Sequence, residues 1–343
     1  MRLSRFLLPI VLVFSMMAAG CSSLRLAGQE METRQIFAMD TIMTLSAYGP
    51  NAADALTNAA AEINRLDQLL STNNPQSDVA KLNDTGCATL SPEASELLTR
   101  SQELYEQTGG AFDCAIYPIV KAWGFTTGSY RVPSKEEIAV LLPLCDPSQI
   151  TLTGQQATMS KGMAIDFGGI AKGYTSQRVI ELFRQTGISH AIISLGGNVQ
   201  TLGTKPDGSA WQVAVQYMDQ SDEYAIILQL EDEAAVTSGS YQRYFEQDGV
   251  RYHHIIDPAT GAPAESGLSS VTIVCKDGTT ADGLSTALFI MGLEKGTDFW
   301  RQHNELFDAV FITEEGDIFV TEGLADRCIQ TEGHPYTVLP LAE

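Results

Sequence analysis

Ala164–Gly173 reads AIDFGGIAKG: a short apolar run with one acid, Asp166, then two glycines, then Lys172 and Gly173 ahead of an amphipathic stretch. That order predicts a strand, a tight turn and a helix N-terminus. Glycines let backbone come close to a phosphate or metal, and the first turn of a helix offers unpaired N–H groups to an anion. A Gly-Gly turn is also ordinary turn chemistry, so the stretch needs company. It has some in TADGLSTA, Thr280–Ala287. Asp282, Ser285 and Thr286 lie three and four positions apart and share one face if the segment is helical, a hard-oxygen corner that suits Mg²⁺. The same residues would also serve as a plain helix cap. Two oxygen-rich stretches in one chain suggest metal-assisted phosphoryl chemistry.

Outward from these stretches, strands arrive in runs with helices interspersed, and parallel βαβ alternation is not sustained, which predicts an α+β fold. Helices are expected at 52–70 behind Asn51, after Ser91-Pro92-Glu93 up to Gly109-Gly110, after Pro133, at 170–185, at 280–292 and at 297–303. Alternating or apolar runs predict strands at 36–48, 190–195, 211–218, 224–230, 235–241, 250–257 and 270–276, with 150–152 paired to 164–167 and a last hairpin from 307–313 to 318–321. No repeat or internal linker divides residues 36 to 340. They read as one unit of mixed sheets with packed helices, an arrangement that admits two lobes with the active site between them.

The 343 residues are 44% hydrophobic, ample for a sizeable core. The formal net charge of −21 argues against binding nucleic acid or an anionic membrane by charge alone, and a diphosphate substrate would need a local cation. Arg2 and Arg5 precede an apolar run, Phe6 to Ala19, that ends in small residues before Cys21. This reads as an export signal over residues 1–20, too short to span a membrane. Ala-Ala-Gly-Cys resembles the bacterial lipobox, in which the cysteine is lipidated; residues 21–34 then read as a tether and 35–343 as the working domain. The remaining cysteines, Cys87, Cys114, Cys145, Cys275 and Cys328, have no zinc spacing and read mainly as small buried hydrophobes, although up to two disulfides are permitted.

His254 ends a predicted strand before a turn and can serve as a general base, while His253, on the opposite face, suits a structural role. Asp257 before Pro258 reads as a turn former. Lys172 can neutralise a phosphate or simply be solvated. Asp166, between Ile165 and Phe167, needs a partner if buried. The hydroxyls of Thr237 to Ser240 can bind phosphate or stabilise a turn.

Taken in order, Met39-Asp40-Thr41, GGAFD at Gly109–Asp113, PIVKAWGF, IDFGGIAKGY, SLGGN, TSGSY, HIIDPATGAP and ADGLST resemble the ApbE family of FAD:protein FMN transferases. The resemblance implies an exported α+β enzyme that uses Mg²⁺ and FAD. It would move FMN onto a threonine or serine of an acceptor flavoprotein, a subunit of an ion-pumping or electron-transfer complex, and release AMP. By position, metal ligands fall on Asp282 and Thr286, with Ser285 nearby and the Gly169 carbonyl. FAD contacts fall on Met39, Asn73, Ala111, Phe112, Asp113, Asp166, Lys172 and Ile256, and His254 takes the place of the catalytic histidine. Ser285 stands where some members carry aspartate, and Asn73 where some carry an aromatic. The rival readings are an FAD pyrophosphatase, with water as acceptor, and a lipid-tethered flavin-binding protein without turnover.

Overall fold

The computed structural model describes residues 30–218 and 220–342; the signal segment and Cys21 lie outside the described residues. A nine-stranded sheet runs through the molecule, its strands side by side in chain order: β1 (Met31–Ala38), β2 (Thr41–Tyr48), β3 (Ala191–Leu195), β4 (Asn198–Leu202), β5 (Ala234–Gly239), β6 (Leu268–Cys275), β7 (Asp308–Thr313), β8 (Ile318–Thr321) and β9 (Tyr336–Leu339). Neighbours are antiparallel until β8 and β9, which run parallel. Met31 to Arg34, expected as tether, already belong to β1, paired as far out as Met31 with Tyr48. The hairpin β7–β8 does not end the sheet either, since β9 adds one more strand.

The helices are α1 (Ala52–Leu70), α2 (Asp78–Thr85), α3 (Pro92–Gln107), α4 (Tyr117–Trp123), α5 (Lys135–Leu141), α6 (Ala171–Gln185) and α7 (Gly278–Gln302). In α1, Ala52, Ala55, Leu56, Ala59, Ile63, Leu66 and Leu70 recur at helical spacing and are buried. From Ala52 to Ile63 that stripe packs with Met43, Leu45 and Ile193 of the sheet and with Val179 and Phe183 of α6, whereas Leu66 and Leu70 join the cluster that holds Val79 and Leu82 of α2. Asn51 was expected to cap α1 but does not; its amide instead donates to the Thr186 carbonyl at 3.4 Å. Ser91, Ser77 and Ser134 do cap α3, α2 and α5.

Strand β6 is buried over all eight residues, as a central strand covered on both faces must be. Val271 and Ile273 face α7, Phe289 and α3, whereas Val274 faces a three-stranded sheet of Trp211–Tyr217, Gln220–Leu230 and Cys328–Gln330. The apolar cluster on the helix side is continuous from the sheet through α7 to α2 and α3, so the lobes that the sequence admits share this core. The helices expected at 280–292 and 297–303 are one element, α7, broken by Gly292 at φ 79°.

Ala164–Phe167 is not a strand, and 151–153 pairs with 156–158 instead. The segment joins no ladder. The Asn83 side chain receives the Ile165 N–H at 2.7 Å and donates to its carbonyl at 2.8 Å, and Asp166 N–H reaches the Cys114 carbonyl at 2.9 Å. These bonds replace a neighbouring strand. All five described cysteines are free thiols; Cys114 and Cys275 are buried, whereas Cys87 is exposed, against expectation.

Candidate active site

Helices α6 and α7 meet at their N-termini with no side chain between them. A Cβ on Gly173 would lie 2.1 Å from the Gly278 carbonyl oxygen and 2.6 Å from the Asp282 Cβ. Only glycine permits this approach, and through it the Gly173 N–H donates to Asp282 Oδ2 at 2.8 Å, across 109 positions of chain. We therefore expect Gly173→Ala to pry the helices apart, lowering stability by about 3 kcal/mol in thermal unfolding and depressing activity with it.

Asp282 is 4% exposed and lines a cleft of about 710 Å³. Met39, Asn73, Ala111, Phe112, Asp113, Asp166, Gly169, Lys172, His254, Ile256 and Thr286 line the same cleft. The one sequence-derived candidate among the described residues that does not is Ser285, which is fully buried. Its hydroxyl donates to the Asp282 carbonyl at 2.8 Å and is bonded to Ser238 Oγ at 2.8 Å; Ser238 in turn meets Thr286 Oγ1 at 3.2 Å. Each hydroxyl has one proton, so the chain runs in one direction: Thr286 to Ser238, Ser238 to Ser285, Ser285 to the carbonyl. Ser285 is thus corrected from a ligand to a support, and Thr286 Oγ1 keeps lone pairs free toward the cleft.

Gly169 sits opposite, with Thr286 Oγ1 at 3.9 Å from where its Cβ would be. One carboxylate, a threonine oxygen and a nearby backbone segment form a hard donor set that fits Mg²⁺, an ion that retains water and takes substrate phosphate oxygens as ligands. No group of three or more His, Cys, Asp or Glu suited to a metal occurs among the described residues.

His254 follows the hairpin of Tyr244–Gln247 and Val250–His253. Its Nδ1–H donates to the Arg243 carbonyl at 3.1 Å, which leaves the lone pair on Nε2. Burial, with smaller contributions from the Arg243 and Lys172 cations, pushes its pKa down to about 3, so the ring is a neutral base at physiological pH. His253 is structural, as expected: its Nε2 is bonded to the Ala264 carbonyl at 3.1 Å and its ring packs edge-on to Phe289. Asp257 accepts the Ala259 N–H at 2.9 Å and forms the turn.

Burial raises the Asp166 carboxyl, against the opposing effect of the Gly168 N–H, which donates to Oδ1 at 2.8 Å, and of Lys172 and Arg243. Asp113 is 7% exposed; Oδ1 accepts the Ala115 N–H at 2.6 Å while Oδ2 has no partner among the described residues. Burial pushes its pKa from 3.8 up to about 7. A folded pKa above the unfolded one means stability complete below the unfolded value and lost as pH rises through the folded one. Asp113→Asn escapes that loss, so its melting temperature relative to wild type should climb by several degrees between about pH 4 and pH 8, read by calorimetry without FAD.

The ApbE family model matches residues 39–311, a span that holds every cleft element from the β1–β2 turn to α7. The chain belongs to the ApbE family. An ApbE relative from Klebsiella pneumoniae, an FAD:protein FMN transferase, is 36% identical over 267 residues, covering 76% of this chain and 82% of its own. The Treponema pallidum FAD:protein FMN transferase is 32% identical over 320 residues, covering 86% and 88%. Among solved ApbE structures, the Thermotoga maritima protein superposes with a TM-score of 0.82 at 31% identity, covering 87% of this chain and 99% of its own. The apo flavinyl transferase of Pseudomonas stutzeri gives 0.79 at 30%, covering 89% and 98%. The α+β architecture of this chain is that of the ApbE fold.

Among the cleft residues, Arg243 was not anticipated from the sequence. Ser238 belongs to the TSGSY hydroxyls, for which phosphate binding and turn formation were both open; its partners are the hydroxyls of α7. Arg243 carried no spacing signal at all.

Proposed function

We propose that this protein is a flavin transferase that moves the FMN half of FAD onto a threonine or serine hydroxyl of an acceptor protein and releases AMP. The enzyme class follows from ApbE membership. The observation that carries the reading is the gathering, in one cleft, of a carboxylate and threonine corner, a lysine at a helix start and a neutral histidine.

In this reading Nε2 of His254 takes the proton of the acceptor hydroxyl. That oxygen bonds to the phosphorus of the FMN half, the bond from this phosphorus to the bridging oxygen breaks, and AMP leaves with the bridging oxygen. Lys172 and the N-terminal amides of α6 hold the phosphates. Asp282, Thr286 and the Gly169 carbonyl would hold Mg²⁺, which when bound supplies positive charge to the diphosphate. Asp113, Asp166, Met39, Phe112 and Ile256 shape the remainder of the FAD site.

The decisive experiment mixes the protein, FAD and Mg²⁺ with a candidate acceptor subunit. Covalent flavin fluorescence on the denatured acceptor band, with one AMP per flavin, supports transfer. AMP formed at the same rate without acceptor identifies a pyrophosphatase instead, and bound flavin with no AMP under either condition a storage protein. Exported and lipidated on Cys21, the enzyme would be tethered to the outer face of a membrane, with the acceptor in an ion-pumping or electron-transfer complex nearby. No described helix is long and apolar enough to cross a membrane.

A further inference from the structure

The cleft is hostile to an anion. Asp40, Asp67, Asp113, Asp166 and Asp282 line it, against two cations among the described residues, Lys172 and Arg243. In a chain of net charge −21, a substrate diphosphate depends on those two side chains and the metal corner for its countercharge.

Arg243 lies between β5 and the hairpin that His254 follows. Its carbonyl accepts both the backbone N–H of His254 at 3.0 Å and the ring Nδ1–H at 3.1 Å, so its backbone is fixed to the proposed base. Its guanidinium is exposed and makes no ion pair or hydrogen bond among the described residues. Most arginines of this acidic chain are engaged: Arg65, Arg100, Arg131, Arg178, Arg184 and Arg327 each pair with a carboxylate. An arginine left over beside five acids, and held at its root, is placed for a ligand. Both Arg243 and Lys172 act electrostatically on Asp166 and on His254, so the two cations converge on one part of the cleft.

We infer that Arg243 grips the diphosphate of the dinucleotide substrate together with Lys172, on the His254 side of the cleft. This rests on the reading of FAD as substrate. A guanidinium offers a planar fork that donates two parallel N–H bonds to one phosphate, which a lysine cannot do. An acceptor hydroxyl is neutral and needs the base, whereas the diphosphate is the charged partner that the cleft otherwise repels.

The test uses Arg243→Ala and Arg243→Lys in the full-length protein, titrated without acceptor against three probes: FAD, ADP and riboflavin. The Ala variant should bind FAD and ADP at least tenfold more weakly, the Lys variant should recover part of that loss, and riboflavin, which has no phosphate, should bind all three proteins alike. The melting temperature of the ligand-free protein should not move, because the guanidinium has no described partner to lose. FAD and ADP affinities within twofold of wild type in Arg243→Ala would overturn the assignment, as would a raised KM for the acceptor with FAD binding unchanged. Should wild type bind FAD but transfer nothing, the functional reading falls while the titrations still decide the role of Arg243.

Discussion

Asp282→Asn should lower flavin transfer by about 10³-fold, equivalent to about 4 kcal/mol of barrier, while the protein melts within about 2 °C of wild type. Asp282 is the one carboxylate of the proposed metal corner, and its loss removes the only full negative charge offered to the cation there. Asparagine can still accept the Gly173 N–H through its own oxygen, so the junction of α6 and α7 persists. Asp282→Ala is the poorer variant. It leaves the Gly173 N–H buried without an acceptor, a loss of about 1–3 kcal/mol that mixes folding with chemistry. Raising Mg²⁺ should restore part of the Asn variant's rate, since weakened binding yields to mass action. A wild-type rate in Asp282→Asn at low Mg²⁺ would remove the residue from the metal site.

His254→Ala should slow transfer by about 10² to 10⁴-fold with little change in FAD affinity, the range expected when a general base is lost. The Arg243 carbonyl retains the backbone N–H of residue 254, so the loop has a reason to stay in place. The pH dependence gives a second reading. Because the folded pKa of His254 lies below the ordinary 6.5, the base stays unprotonated as pH falls through 6.5, and kcat/KM should hold on that side until well into the acid range. The same sign governs stability: this group's contribution is complete above 6.5 and is lost as pH falls toward its folded value. In His254→Ala the transfer rate should rise with pH and recover in part with added imidazole. An acid limb centred at 6.5 or higher in the wild-type kcat/KM profile would mean that the half-buried ring is solvated well enough to titrate like a free imidazole.

The legible part of this protein was written in local signals. Ser91-Pro92 and Gly109-Gly110 bracket α3, and the apolar stripe from Ala52 to Leu70 sets α1, because caps and helical periodicity are properties of neighbours in sequence. The chemical types of Asp282, Thr286, Lys172 and His254 were legible for the same reason, once the ordered resemblance to ApbE proteins joined them. Misreadings arose where a distant group intervened. Ala164–Phe167 looks like a strand, yet the Asn83 side chain, about 80 positions away, satisfies the Ile165 backbone in place of a partner strand. Ser285 has the spacing of a ligand, yet Ser238 on β5 and the Asp282 carbonyl take up its hydroxyl. Arg243 has no pattern to betray it, since a single exposed arginine looks the same in sequence whether or not it faces a cleft.

The sequence by itself therefore determined most of the helices and strands, the α+β class and the residue types available for phosphate and metal chemistry. Only the tertiary structure decided which of those residues share one cleft. The physical reason is the glycine-to-glycine crossing of α6 and α7, which brings Gly173 and Asp282 into hydrogen-bond contact without leaving any periodic trace in the chain.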